Sequence, residues 1–169
     1  MISPDHVRTM ARYNRWQNRS LYGAADSLPD EARREDRGAF FGSIFGTLNH
    51  LLWADQMWMR RFAETPAPAV RTISESPELH ADWKSLSAAR QDFDQVIIDW
   101  ARDLKTEAVE GDLSYYSGAL QQQICKPLWL CMTHMFNHQT HHRGQAHAML
   151  TALGAWPEDT DLFAMPDDA

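Results

Sequence analysis

"LCMTHMFNHQTHHRGQAHAML", residues 130–150, combines a helical apolar period with five histidines and contains no proline. Proline at 127 suits the first turn of a helix. Glycine at 154 suits a left-handed C-terminal cap, and Pro157 stops continuation. The stretch therefore predicts a helix over 127–153. On such a helix His134, His138 and His142, each four apart, form a slowly drifting stripe. His141 lies about 100° from His142 and points elsewhere. His138 and His142 have the spacing that holds one ion from a single helix. His134 could replace one of them but does not readily join both, and it becomes a candidate for the shell one turn below the metal.

Two ligands leave an ion under-coordinated, so a third must come from another helix. "GTLNHLLWAD" (46–55) places His50 among apolar residues. Alone, such a histidine reads as a hydrogen-bonded core residue. Paired with the HxxxH of the last helix, it completes a three-histidine set suited to Zn2+ or another late divalent ion. The pattern is not the metalloprotease HExxH, because Gln139 follows His138. It is not a di-iron bundle either, which needs Glu-x-x-His pairs that the chain lacks.

Three more helices follow from periodicity. The first covers 4–27, with Val7, Met10, Tyr13, Trp16 and Leu21 near one side. The second covers 42–63, with Ile44, Leu48, Leu51, Leu52, Asp55, Met59 and Phe62 along one stripe. The third starts near Glu78 and runs to about Leu104 or Ala108, burying Leu79, Trp83, Leu86, Phe93, Val96, Ile97 and Trp100. Pro29 and Asp30 look like a turn opening a short helical piece. "ETPAPAVRTISESP" (64–77) is a long loop. "VEGDLSYYSGALQQQICK" (109–126) reads as a small β-hairpin or an irregular linker. The expected fold is all-α: a four-helix bundle with a long connection after the second helix and that hairpin or linker before the last. One domain covers 1–169, and its acidic tail, 158–169, is expected to be loosely held.

Composition narrows the function. With 44% hydrophobic and 23% charged residues the chain is globular rather than disordered. A net charge of −7 leaves no basic surface for nucleic acid. No apolar run approaches the length of a membrane span, and "MISPDHVRTMARYNRW" has no signal-peptide core. Cys125 and Cys131 read as reduced, partly buried thiols of a cytoplasmic protein.

Around the histidines, Asn49 could orient its neighbour or simply pack. Asp55 needs a cationic partner, for which Arg143 or Arg61 could serve, and reads as a structural ion pair before a base. Gln145 stays near the face of His142 and, like Arg143, could order helix packing or meet a dimer partner. Tyr13, Asn14 and Trp16 read as interhelical contacts, and His80 and His147 as surface positions. Tyr115 and Tyr116 sit where a loop could overhang a bundle site.

Three blocks, "YNRWQN" (13–18), "SIFGTLNHLLWADQMWMRR" (43–61) and the opening stretch (130–150), resemble the DinB/YfiT-like family in order along nearly the whole chain. The resemblance implies a four-helix bundle, often dimeric, with a divalent metal on three histidines. The family's triad falls on His50, His138 and His142, the set that spacing selects. It also implies Zn2+ or Ni2+ in isolated protein. The implied chemistry is a metal-dependent transferase using a low-molecular-weight thiol, or a hydrolase, acting on a small molecule. A non-catalytic metal bundle with a structural or stress-related role is the alternative.

Overall fold

The computed structural model describes residues 2–169. Side-chain caps start three of the four long helices, because the first amides of a helix lack partners within it. Ser3 accepts from the His6 amide (3.2 Å) and opens α1 (Pro4–Asp26). The short piece expected after Pro29 is α2 (Asp30–Arg34). Ser43 accepts from the Gly46 amide (3.0 Å) and opens α3 (Ile44–Ala63). Asp82 accepts from the Ser85 amide (2.9 Å) and opens α4 (Trp83–Asp103). The segment left open as hairpin or linker is an antiparallel hairpin, β1 (Asp112–Ser117) and β2 (Gln122–Pro127), with Tyr115 opposite Ile124. Then α5 (Leu128–Ala152) begins directly after Pro127. It ends in a Schellman motif: Gly154 is left-handed (φ +74°), and the Ala155 amide donates to the Leu150 carbonyl (3.0 Å).

The molecule is mostly helical, with five α-helices and one two-stranded sheet among the described residues. Each long helix packs on two others: α1 on α4 and α5, and α3 on α4 and α5. Two apolar cores lie along this assembly. One joins Leu21, Ile44, Leu48, Leu52, Leu86 and Leu150. The other joins Val7, Met59, Ile97, Met132, Met135 and Phe136.

A buried polar layer separates the two cores. Arg90, 1% exposed, contacts Asp55 (2.8 Å) and Asp94 (2.9 Å). Asn18 donates to Asp94 (2.8 Å), Gln139 donates to Asp55 (2.7 Å), and Arg143 donates to Asn14. All four long helices contribute to the layer. The partner of Asp55 is therefore Arg90, not Arg143 or Arg61. Periodicity hid this because Arg90 and Asp94 are four apart on the face of α4 that the apolar residues also use. Val96, expected on that face, is 38% exposed. Burial pushes Asp94 up to about 6 against the pull of Arg90. Burial also works against the Arg90 charge, but Asp94 and Asp55 outweigh it and raise its pKa.

Three other expectations change. The third long helix starts at Trp83, not near Glu78. Residues Ser76–Glu78 form a 3-10 turn, and Asn49 captures the His80 amide (2.8 Å), which holds that segment out of the helix. The acidic tail is not loose. Tyr13 donates to the Thr160 carbonyl (2.5 Å), Trp16 to Glu158 (2.9 Å) and Gln17 to the Asp159 carbonyl (2.8 Å). Arg12 reaches the Ala169 carbonyl (3.2 Å). Of the two free cysteines, Cys131 is buried and Cys125 is exposed. Among the described residues, no helix is long and apolar enough to cross a membrane.

Candidate metal centre

His50 comes from the buried face of α3, and His138 and His142 come from successive turns of α5. Packing of α3 on α5 brings them together. One ring nitrogen from each lies within 4.8 Å of the other two. The His50 and His138 Nε2 atoms are 3.2 Å apart. Two nitrogens bound to one tetrahedral zinc stand about 3.3 Å apart, given bonds of about 2.0–2.1 Å. The three residues can therefore hold a divalent ion.

The hydrogen bonds around the rings fit that use. The Ser76 hydroxyl donates to the Ile73 carbonyl (2.6 Å), so it accepts from His50 Nδ1 (2.7 Å). The His50 proton then sits on Nδ1, and the Nε2 lone pair faces the centre. His142 Nδ1 likewise donates to Gln145 Oε1 (2.7 Å), which frees its Nε2. His138 Nδ1 is buried without a partner. With His138 protonated there, its Nε2 lone pair would face that of His50 at 3.2 Å, an arrangement that a cation between them relieves.

The rings are held neutral, as ligation requires. Burial pulls His50 down to about 2, and His138 and His142 add to the effect. Burial, with its neighbouring imidazoles, pulls His138 down to about 3. His142 is lowered by burial, against the opposing hydrogen bond to Gln145. Phe41 stacks on His50 (centroids 3.6 Å apart), and the Trp53 ring stacks near it at 5.6 Å. Gly46 permits the Phe41 stack: a Cβ there would come within 2.5 Å of the Phe41 carbonyl oxygen.

The centre opens onto a cleft of about 1220 Å³ running along the α3–α5 seam. Its walls include Trp53, Trp58 and Arg61 of α3, His134 and His138 of α5, and the loop 71–77. Tyr115 and Tyr116 of the hairpin overhang it.

Other residues singled out from sequence lie as follows. His134 is exposed in the cleft, its ring 5.8 Å from that of His138 and edge-on to Trp58. Burial and Arg61 both lower its pKa. Asn49 binds the backbone of Phe45 and His80 rather than a triad ring. Asp55 belongs to the polar layer and meets the centre only through Gln139, the residue after His138. His141 is exposed, and His80 and His147 are half-buried. Sequence reasoning missed Ser76 and Phe41. Both lie in loops, where no period marks a residue, and Ser76 is 26 positions from the ring it orients.

The DinB family profile matches residues 3–169 of the chain. A relative named Protein DinB from Bacillus subtilis (strain 168) is 25% identical over 171 aligned residues, spanning 93% of this chain and 91% of its own. The crystal structure of a DinB-like protein from Bacillus cereus ATCC 10987 superposes with a TM-score of 0.62, covering 85% of this chain and 90% of its own. At 12% identity that likeness is one of fold.

Proposed function

The chain belongs to the DinB family, and from that premise we propose that it is a metal-dependent enzyme built on a four-helix bundle. It acts on a small molecule, as a transferase using a low-molecular-weight thiol. His50, His138 and His142 hold Zn2+ or Ni2+. The observation that carries this reading is the convergence of three neutral imidazoles, two of which, His50 and His138, line a large cleft.

Three ligands fit an open catalytic position better than a saturated structural site, which uses four protein ligands. When bound there, the ion supplies Lewis acidity to a thiol or water. The chain's own residues do the rest. Ser76 and Gln145 fix which nitrogens face inward. Phe41 and Trp53 shield the His50 side from water. His134, whose pKa burial and Arg61 lower, is the imidazole in the cleft placed to take up a proton released there. Asp55 is engaged by Arg90 and Gln139 and takes no part. No carboxylate lines the cleft among the described residues, so His134 is the general base that a thiol would use there. A homodimer in the cytoplasm completes the reading.

Metal content by mass spectrometry on untagged protein tests it. About one ion per chain is expected in the wild type, and none in His138→Ala. No metal in the wild type, even after reconstitution with zinc and nickel, overturns the proposal.

A further inference from the structure

The far end of the cleft carries a cation without a counter-charge. Arg61 lies eleven residues after His50 on α3, so both sit on one face three turns apart. Its guanidinium lies against two aromatic rings that meet edge-on, 4.5 Å from the Trp58 centroid and 4.3 Å from that of Tyr115. Its N–H edge donors make no ion pair among the described residues, although eight such contacts occur elsewhere in the chain. Six of the other twelve arginines make such contacts, whereas Arg61 and Arg71, the two that line this cleft, make none.

The charge of the cleft points the same way. The chain carries a net −7, yet the charged residues lining this cleft are Arg61 and Arg71, with no aspartate or glutamate. A wall of one sign in a low-dielectric groove focuses its field on a ligand of the other sign. An arginine placed against aromatic rings and outside any ion pair suits a planar carboxylate, which it can bind through two parallel hydrogen bonds.

We propose that Arg61 is a specificity-determining residue that binds a carboxylate of the substrate. The reacting group of that substrate lies at the three histidines. This takes the cleft as the substrate site of the preceding reading. Helical side chains lean toward the N-terminus, so Arg61 reaches back over Trp58 toward His50. The carboxylate and the reacting group are then on the order of 10 Å apart. Between them run Trp53, Trp58 and Tyr115, which suits an elongated apolar spacer. The ligand class is a slender ω-functionalised carboxylate, not a compact dianion or a neutral molecule.

Titration calorimetry with octanoate and with its neutral partner octanamide tests the assignment on the full chain, with and without zinc. The wild type is expected to bind octanoate about tenfold more tightly, the scale of one charge-assisted hydrogen-bonded contact. Arg61→Met, which keeps an aliphatic stem beside the rings, is expected to lose that preference. Arg61→Lys keeps a charge but not the fork and should retain part of it. Equal binding of acid and amide by the wild type, or an undiminished preference in Arg61→Met, overturns the proposal. The metal reading fails separately. A protein that prefers octanoate but takes up no zinc keeps the carboxylate site and loses the metal centre. One that takes up zinc with no preference does the reverse. If both hold, 8-mercaptooctanoate should bind the zinc-loaded protein more tightly than octanoate does.

Discussion

The Ser76 hydroxyl stands between the Ile73 carbonyl and His50 Nδ1, and both contacts are short, 2.6 and 2.7 Å. It costs His50 one tautomer and leaves the other ready to ligate. Outer partners of this kind govern affinity through ring orientation. Ser76→Ala should therefore weaken zinc binding by about 10–100-fold while leaving one ion per chain at saturation. A competition titration against a chromophoric chelator measures it, and an unchanged constant would remove Ser76 from the site. His50, His138 and His142 could be named from spacing plus family resemblance, because helical period places side chains on faces. Ser76 could not, because its role depends on where a loop returns.

The segment ahead of α3 shows how an element positions chemistry. Gly46 lies in its first turn, and the Phe41 carbonyl rests against its bare Cα. Gly46→Ala ordinarily favours a helix by about 1 kcal/mol. Here the methyl group meets backbone at 2.5 Å, so the loop must move. The variant should lose stability and shift Phe41 off His50, with a changed His50 ring resonance in NMR. Helix entry is also testable at α4. Asp82→Ala removes the cap on Ser85 and should cost about 1 kcal/mol in urea unfolding. The same cap explains why apolar period alone placed the start of α4 too early: Leu79 fits the stripe, but Asp82 and Asn49 claim the amides around it.

The whole molecule depends on the charged layer between its two cores. Arg90→Met would leave Asp55 and Asp94 buried without their cation, at a cost of about 3–5 kcal/mol. Chemical denaturation checks it, and a loss below about 1 kcal/mol would make the layer dispensable. Acid acts on the fold through two opposing sets. His50, His138 and His142 titrate lower in the folded chain than unfolded, so below about pH 6.5 the unfolded state binds more protons and stability falls. Asp55 and Asp94 are raised by burial, and their uptake of protons on the folded side opposes this. Three imidazoles outnumber two carboxyls, so metal-free protein should unfold at lower urea at pH 5 than at pH 7. Saturating zinc should raise the midpoint at pH 7 far more than at pH 5, since protons compete for the same nitrogens. An identical midpoint at both pH values would contradict the depressed histidines.

The order of long helices, the hairpin segment and the three converging histidines were legible in the sequence. Period, proline, glycine and spacing are local signals, and each acts within a turn or two of chain. What crosses between elements was not legible. The pairing of Asp55 with Arg90, the seating of 158–169 on α1, the hold of Ser76 on His50 and the contact of Arg61 with Tyr115 join residues far apart in the chain. A buried charge or an aromatic stack takes whichever partner the packing of helices brings near, and helix packing is a property of the folded whole.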